Sequence, residues 1–91
     1  MTEHLELTGD LGDGLRLRKP LPIRAGADGM AHYVTEDLWL NWGEGDSQEE
    51  AIADLCVTLA EYYRLVAAGA ETDTNDAWEL GHLRQYIEEA P

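Results

Sequence analysis

The stretch NWGEGDSQEEAIADLCVTLAEYY, residues 41–63, carries the clearest helix pattern in this 91-residue sequence. From Ile52 onwards, apolar residues recur at spacings of three and four, as they do along the buried face of an amphipathic helix. The pattern predicts a helix over residues 48–68, and Gly69 is suited to end it. We expect this helix to pack on strands formed by the residues before it.

Two glycines and a hydroxyl residue precede this helix, as they do in loops that bind phosphate groups. A dinucleotide-binding loop, however, has a third glycine where this sequence has Gln48, and a P-loop has a lysine near the helix start. Ser47 and Glu50 instead have the spacing of a capping box, and carboxylates already occupy the helix end at which an anion would bind. We therefore interpret this junction as a folding element, a helix-cap motif that comprises Gly45, Asp46, Ser47, Glu49 and Glu50.

Upstream of the helix, the segment LRLRKPLPIRA alternates between apolar residues and residues that are basic or proline. This period of two predicts one half-buried strand over residues 15–25. Pro20 and Pro22 suggest an edge position or an interruption, because proline donates no hydrogen bond to a ladder. The polar side either protects a sheet edge or meets an acidic surface of a partner or sister protomer. This basic strand face comprises Arg16, Arg18, Lys19 and Arg24.

Two more strands are predicted between this segment and the helix. Asp28-Gly29 has the composition of a hairpin turn, after which Met30, His32 and Val34 share one face of a second strand. The third predicted strand is LWLNW, with Trp39 on the face opposite its neighbours. Trp39 is then either an exposed anchor or a residue covered by the N-terminal segment or a second protomer. The face expected to meet the helix comprises Leu38, Leu40 and Trp42.

These patterns predict an α+β fold in which an antiparallel meander of three to four strands packs against one long amphipathic helix. Weak alternation in HLELT, followed by the turn cluster GDLGDG, predicts an N-terminal strand or hairpin over residues 4–18. A core follows over residues 19–68. After it, Asp76 and Glu79 have the spacing of a second capping box and predict a short C-terminal helix over about residues 76–89.

The charge balance is strongly acidic, with six basic against 19 acidic residues and a formal net charge of −13. Such a field repels nucleic acid and anionic membranes and favours basic partners. A salt-adapted host or an ordinary acidic surface would give the same composition, so these explanations stay open. Because the sequence has one cysteine, no membrane-length apolar run and no secretory signal, we expect a cytoplasmic protein without membrane contact.

The residues that commonly carry catalysis or bind metals are poorly placed for either role. His4, His32 and His82 lie far apart, without companions at the spacing of metal ligands. Cys56 falls on the apolar side of the predicted helix, where packing is its expected role. Ser47 is already assigned as a cap. We therefore expect no enzyme activity, no metal site and no cofactor.

The succession of a strand, the turn ADG, two further strands and then GEGDSQEEAIADL resembles the HicB-like antitoxin family over roughly residues 19–68. Tyr33 in the second strand adds weaker support. The chain departs from the family where Ser47 replaces the commoner threonine and where the second strand lacks a proline near its end. The most specific matching residues are Gly45, Asp46, Ser47, Glu49, Glu50 and Ala51.

The resemblance implies a fold similar to a partial ribonuclease H fold, with a small antiparallel sheet and the long helix on one face. It also implies a function, because family members neutralise HicA-type toxins, which are small basic ribonucleases. Many members carry a separate C-terminal DNA-binding domain. We do not expect one here, since the acidic tail after Gly69 shows no DNA-binding pattern. The expectation is a single HicB-like domain over residues 1–91 that binds no nucleic acid directly.

An acidic inhibitor can occupy the cationic surface of such a toxin, while aromatic anchors supply much of the affinity. We therefore expect a homo-dimer or homo-tetramer that binds a small basic protein. Two alternatives stay open: a stand-alone oligomeric structural or regulatory domain without a toxin, and an acidic mimic of nucleic acid. The candidate partner-binding residues surround the predicted third strand and are Glu36, Asp37, Trp39, Glu44 and Asp46.

Overall fold

The computed structural model describes residues 2–90, and within them the chain forms seven strands and two helices. All strand pairs are antiparallel and are distributed over two sheets, so the predicted α+β class is confirmed. In chain order the elements are β1 (Glu3–Leu7), β2 (Asp10–Gly12), β3 (Leu15–Leu17), β4 (Leu21–Asp28), β5 (Ala31–Glu36), β6 (Trp42–Gly45), α1 (Gln48–Gly69), α2 (Thr74–Leu83) and β7 (Ile87–Glu89).

The main sheet has the strand order β1-β4-β5-β6, in which β4, β5 and β6 form the predicted meander and β1 pairs with the other side of β4. One face of this sheet is buried, and alternate residues of β4 point to it: Leu21, Ile23 and Ala25 are 5% exposed or less. Ala25 is paired with Val34 on β5, which is fully buried. The opposite face, called here the outer face, includes Arg24, Tyr33 and Trp42, all of which are exposed.

A single strand over residues 15–25 is wrong, and the alternative of an interruption at the prolines is confirmed, because the chain leaves one sheet and enters another within this segment. Residues 15–17 form β3, whereas residues 21–28 form β4 of the main sheet. The parity of the apolar residues nevertheless holds across the break. Pro22 lies in β4, an interior strand, and the ladder with β5 begins only at Ile23. The proline therefore occupies a point where β4 has a partner strand on one side only.

The small sheet consists of β2, β3 and β7, and it joins the two ends of the sequence. Only β2 and β3 form an N-terminal hairpin, since β1 pairs with β4 instead. The predicted C-terminal helix over residues 76–89 is too long and begins too late. Asp73, not Asp76, caps α2, and its carboxylate accepts hydrogen bonds from the backbone N–H groups of the first turn. Residues 87–89 form β7, and the fully buried Ile87 is paired with Leu17.

The prediction of α1 is confirmed, and its cap is close to the one expected. Ser47 Oγ accepts a hydrogen bond from the N–H of Glu50 at 3.1 Å. The Glu50 carboxylate accepts one from the N–H of Asp46 at 2.9 Å, one residue earlier than in a standard capping box. At the other end, Ala70 caps the helix in a right-handed conformation, so Gly69 is not a left-handed stop.

Gly43 determines how closely α1 approaches the main sheet. It lies on the buried face of β6, and a Cβ at this position would overlap the backbone O of Ala51 and N of Leu55. The helix therefore packs backbone against backbone, and Leu55 is fully buried. In addition, the Asp54 carboxylate accepts a hydrogen bond at 3.0 Å from the N–H of Glu44. This contact satisfies a backbone donor on an edge strand of the sheet.

The β4–β5 connection lies one residue later than predicted. Asp28 is paired with Ala31, so the loop residues are Gly29 and Met30, and Gly29 has a φ of 65°. A positive φ at the first loop position alone is the pattern of a type II′ hairpin turn. Met30 is consequently 90% exposed and does not share the buried face with Val34, contrary to the prediction.

The third strand also begins later than predicted. Residues 37–41 form a loop in which Leu40 has a φ of 64°, and β6 starts at Trp42. Leu38, Leu40 and Trp42 were expected to face the helix, but they are 52%, 74% and 58% exposed. Their exposure leaves apolar side chains on the surface.

Candidate partner-binding surface

Glu36 organises the loop over residues 37–41. Its side chain is 1% exposed, and its two carboxylate oxygens accept hydrogen bonds from the N–H groups of Leu38, Trp39 and Asn41 at 2.7–2.9 Å. The Asn41 side-chain amide donates a fourth, at 3.0 Å. A buried carboxylate needs such donors in place of water. These hydrogen bonds stabilise the loop in a conformation that leaves Leu38 and Leu40 exposed.

A cleft of about 300 Å³ lies between this loop, α2 and the turn after α2. Trp39 meets Tyr86 edge to face, with ring centroids 5.7 Å apart and an interplanar angle of 87°. On the α2 side, Trp78 and His82 are one helical turn apart, and their ring centroids are separated by 4.2 Å. We call this feature the aromatic cleft; its lining residues are Leu38, Trp39, Trp78, Glu79, His82, Gln85 and Tyr86.

Glu79 connects the aromatic cleft to a second depression between α1 and α2. This groove, of about 580 Å³, is also lined by Tyr62, Leu65 and Asp76. Burial raises the pKa of Tyr62, and the nearby Glu79 carboxylate raises it further. Leu65 is 73% exposed, so apolar surface continues from the cleft along α1. The two depressions together make a surface on which aromatic, aliphatic and acidic side chains alternate.

The structure does not bring the five predicted partner-binding residues together. Glu36 is buried and serves the loop, so its prediction as a surface contact is wrong. Asp37 is exposed but pairs with Arg24 at 2.6 Å. Trp39 is half-buried in the aromatic cleft, covered by the C-terminal segment rather than by the N-terminal one. Glu44 and Asp46 are exposed at the far end of β6 and on the cap of α1.

The basic strand face is divided between the two sheets and does not form one cationic patch. Arg16 lies on β3 of the small sheet and Arg18 follows its end, and both pair with Glu88, at 2.8 and 3.9 Å. Arg24 lies on the outer face of the main sheet, where it pairs with Asp37. Lys19, in the break between the strands, stands over the ring of Tyr86 with Nζ 4.3 Å from the centroid. Each of these cations therefore has a partner within the molecule.

Among the lining residues of the cleft, the sequence analysis selected Trp39 but not the aromatic side chains Trp78, His82 and Tyr86. Trp78 and His82 are four residues apart, a spacing that places two side chains on one helix face. That spacing was available in the sequence. The position of Tyr86 was not, because it depends on the pairing of β7 with β3, which are separated by most of the chain.

Cys56 and Ser47 lie outside the aromatic cleft and its adjoining groove. Burial raises the pKa of the Cys56 thiol, which keeps it protonated and reduces its reactivity as a nucleophile. The hydroxyl of Ser47 is engaged as the cap of α1. Over residues 2–90, no group of three or more His, Cys, Asp or Glu residues is arranged to hold a metal ion. In that same part of the chain, neither helix combines the length and apolar character of a membrane span.

Comparisons with known proteins give no match among protein-family models, curated proteins or solved structures. The main features of the candidate partner-binding surface are the aromatic cleft, the adjoining groove and the excess of carboxylates.

Proposed function

We propose that this chain is an acidic interaction module that binds and neutralises a small basic protein, as HicB-like antitoxins do with HicA-type ribonuclease toxins. The observation that carries the proposal is the combination of unneutralised carboxylates and exposed aromatic side chains around the aromatic cleft. Charge and aromatic anchors are the two components that a protein inhibitor of a cationic surface requires.

The charge component follows from the ion pairs of the described residues. Four arginines pair within the molecule, and the carboxylates they use are Asp13, Asp37, Glu88 and Glu89. These are a small part of the 19 acidic residues, so a large negative charge faces solvent. An opposite charge on the partner would speed the encounter, with a strong dependence on salt.

The anchor component is the set of apolar side chains that the fold leaves on the surface. Trp78 is 66% exposed on α2, and Leu38 is 52% exposed on the facing loop. Tryptophan is among the residues that most often dominate interface energetics, because it buries a large rigid area on binding. The expected interface is therefore centred on the aromatic cleft, with acidic residues at its rim.

The order of elements agrees with the likeness to HicB-like antitoxins that we propose. A meander of three strands leads through the helix-cap motif into α1, which packs on one face of the sheet. This is the arrangement that the resemblance to HicB-like antitoxins implies. We further propose a cytoplasmic protein that forms a homo-dimer or homo-tetramer and binds no nucleic acid directly, because its net negative charge repels phosphates.

The test is neutralisation of a co-purified partner. The tagged chain is used to isolate its partner from the native host, and the partner is purified separately and incubated with RNA. We expect a small basic protein that degrades RNA and is inhibited at a one-to-one ratio by this chain, less effectively at high salt. Recovery of the chain alone would contradict the proposal and favour a structural oligomer. Recovery of a large nucleic-acid enzyme would favour the nucleic-acid mimic.

A further inference from the structure

The aromatic cleft presents ring surfaces that the protein itself does not cover. Trp78 is 66% exposed although it is tilted against His82, and the ring of Trp39 is only half-buried. Opposite α2, Trp39 and Tyr86 pack edge to face and form the second wall of the cleft. The space between these walls is about 300 Å³, at the lower end of the range for ligand sites.

The lining of the cleft carries one carboxylate. Glu79 is the one carboxylate among the lining residues, and no lysine or arginine contributes to the lining. Glu79 forms no ion pair with the described residues, and Asp76 lies in the adjoining groove. A cation in the cleft would therefore meet aromatic faces and the Glu79 carboxylate at the same time.

The same structure contains an example of this recognition. The ammonium group of Lys19 stands 4.3 Å from the centroid of the Tyr86 ring, although Lys19 is not part of the cleft lining. One ring of the aromatic cleft is thus already in contact with a cation from the chain itself. The other aromatic side chains of the cleft, Trp39, Trp78 and His82, have no such partner among the described residues.

We propose that the aromatic cleft binds an arginine side chain of the basic partner, with the guanidinium stacked between Trp78 and Trp39 and paired with Glu79. A guanidinium suits this site better than an ammonium, because it is planar, stacks on aromatic rings and donates two parallel hydrogen bonds to a carboxylate. The inference rests on the proposed function for the identity of the partner, but the chemistry of the cleft can be tested without it.

The probe is a hexa-arginine peptide, with hexa-citrulline as an uncharged control of the same shape and hexa-lysine as a control of the same charge. Binding is followed by NMR through the indole N–H signals of Trp39, Trp42 and Trp78. Trp42 is the internal reference, since it is 58% exposed but lies on the outer face of the main sheet, outside the cleft.

We expect hexa-arginine to shift the signals of Trp39 and Trp78 without shifting that of Trp42, and to bind more tightly than either control. Trp78→Ala and Glu79→Gln should weaken binding, the former by roughly three- to thirtyfold, which is the range of cation–π contributions. The matched variant Trp42→Ala should bind as the unmodified chain does. Both tryptophans are exposed, so both variants should fold.

Equal binding of hexa-citrulline, or equal loss in the two tryptophan variants, would overturn the inference. Equal binding of hexa-lysine would overturn the assignment to a guanidinium. Failure of the proposed function has a different outcome: hexa-arginine would still bind in the cleft, but no small basic protein would co-purify. Conversely, a partner that binds Trp78→Ala and the unmodified chain equally well would leave the proposed function intact and refute the role of the cleft in binding the partner.

Discussion

The junction before α1 and the aromatic cleft beside α2 are both rich in acidic residues, yet they use them differently. At the junction, the carboxylates of Glu50 and Asp54 accept hydrogen bonds from backbone N–H groups nearby. At the cleft, Glu79 is in no ion pair with the described residues and lies among exposed rings. The carboxylates of the first region stabilise the fold, whereas the second region exposes aromatic surface beside the Glu79 carboxylate.

The difference shows that a carboxylate can be assigned to a binding surface only when its hydrogen-bond donors within the fold are known. Glu36, which precedes the loop of the cleft, resembles the carboxylates of the junction. Both of its carboxylate oxygens accept hydrogen bonds from backbone or side-chain amide groups. Substitutions that remove the internal acids or their supports should destabilise the fold. Changes at Glu79 should alter the surface while leaving the fold in place.

The largest effect on stability is expected from Gly43→Ala. The added methyl group would overlap the backbone of α1, and neither backbone can move without displacing Leu55 in the core. We expect a loss of at least about 3 kcal/mol in the free energy of unfolding, measured by urea denaturation. Gly81→Ala is the control, since nothing lies within 4 Å of that position and alanine favours helix by about 1 kcal/mol. Equal stability of the two variants would refute the close approach of α1 to β6.

A smaller loss is expected from Glu36→Gln. The amide keeps the size of the side chain, but its NH₂ group would face N–H donors that now bond to a carboxylate oxygen. The expected cost is about 2–3 kcal/mol, together with disorder of the loop over residues 37–41. Glu44→Gln, which changes an exposed acid on the next strand, should change stability by less than about 0.5 kcal/mol. Urea denaturation and the Trp39 indole signal measure both consequences; a stable Glu36→Gln variant with an unchanged signal would contradict the role of Glu36.

Ser47→Ala should cost about 1 kcal/mol, which is typical of the loss of a side-chain N-cap. Its hydroxyl is the acceptor for the N–H of Glu50, and alanine offers no replacement. Ser47→Asp keeps an acceptor at the cap and should restore most of the stability, as judged by the midpoint of thermal unfolding. If the alanine and aspartate variants unfolded at the same temperature, the cap would not contribute as described.

The smallest effect concerns Tyr62, which adjoins the cleft. Its pKa is raised by burial and by Glu79, so the neutral phenol is favoured in the folded state. Its contribution to stability is fully present below the ordinary tyrosine pKa of about 10 and is lost as the pH rises through the higher folded value. Absorbance at 295 nm, taken as the difference from Tyr62→Phe, should titrate later than free tyrosine. Glu79→Gln should move that titration to lower pH; no movement would place Glu79 away from Tyr62.

The parts of the fold that the sequence predicted depend on short-range signals. The 3.6-residue period of α1, the Ser47 cap and the alternation from Leu15 to Ala25 each lie within one element or two adjacent ones. The prolines indicated an interruption as one alternative, but the change of sheet depends on distant residues: β3 pairs with β7, and Pro22 is tolerated in an interior strand because the ladder with β5 begins after it.

The candidate site was predicted only in part for the same reason. Trp39 was selected and lies in the cleft, but its neighbour Tyr86 arrives from the other end of the sequence. Glu36 was placed on the surface although it follows Val34 by two residues and so shares the buried face of β5. That parity was available in the sequence. The hydrogen bonds that make a buried carboxylate stable there were not, since they depend on the conformation of the loop.

The most direct test of the account is the composition of what co-purifies with the tagged chain from its native host, measured by native mass spectrometry at moderate and at high salt. The account predicts a complex with a small basic protein in a fixed ratio, which dissociates as salt rises because opposite charges drive the association. A spectrum that contains only the chain or its oligomers at both salt concentrations would contradict the claim that this acidic surface exists to bind a basic partner.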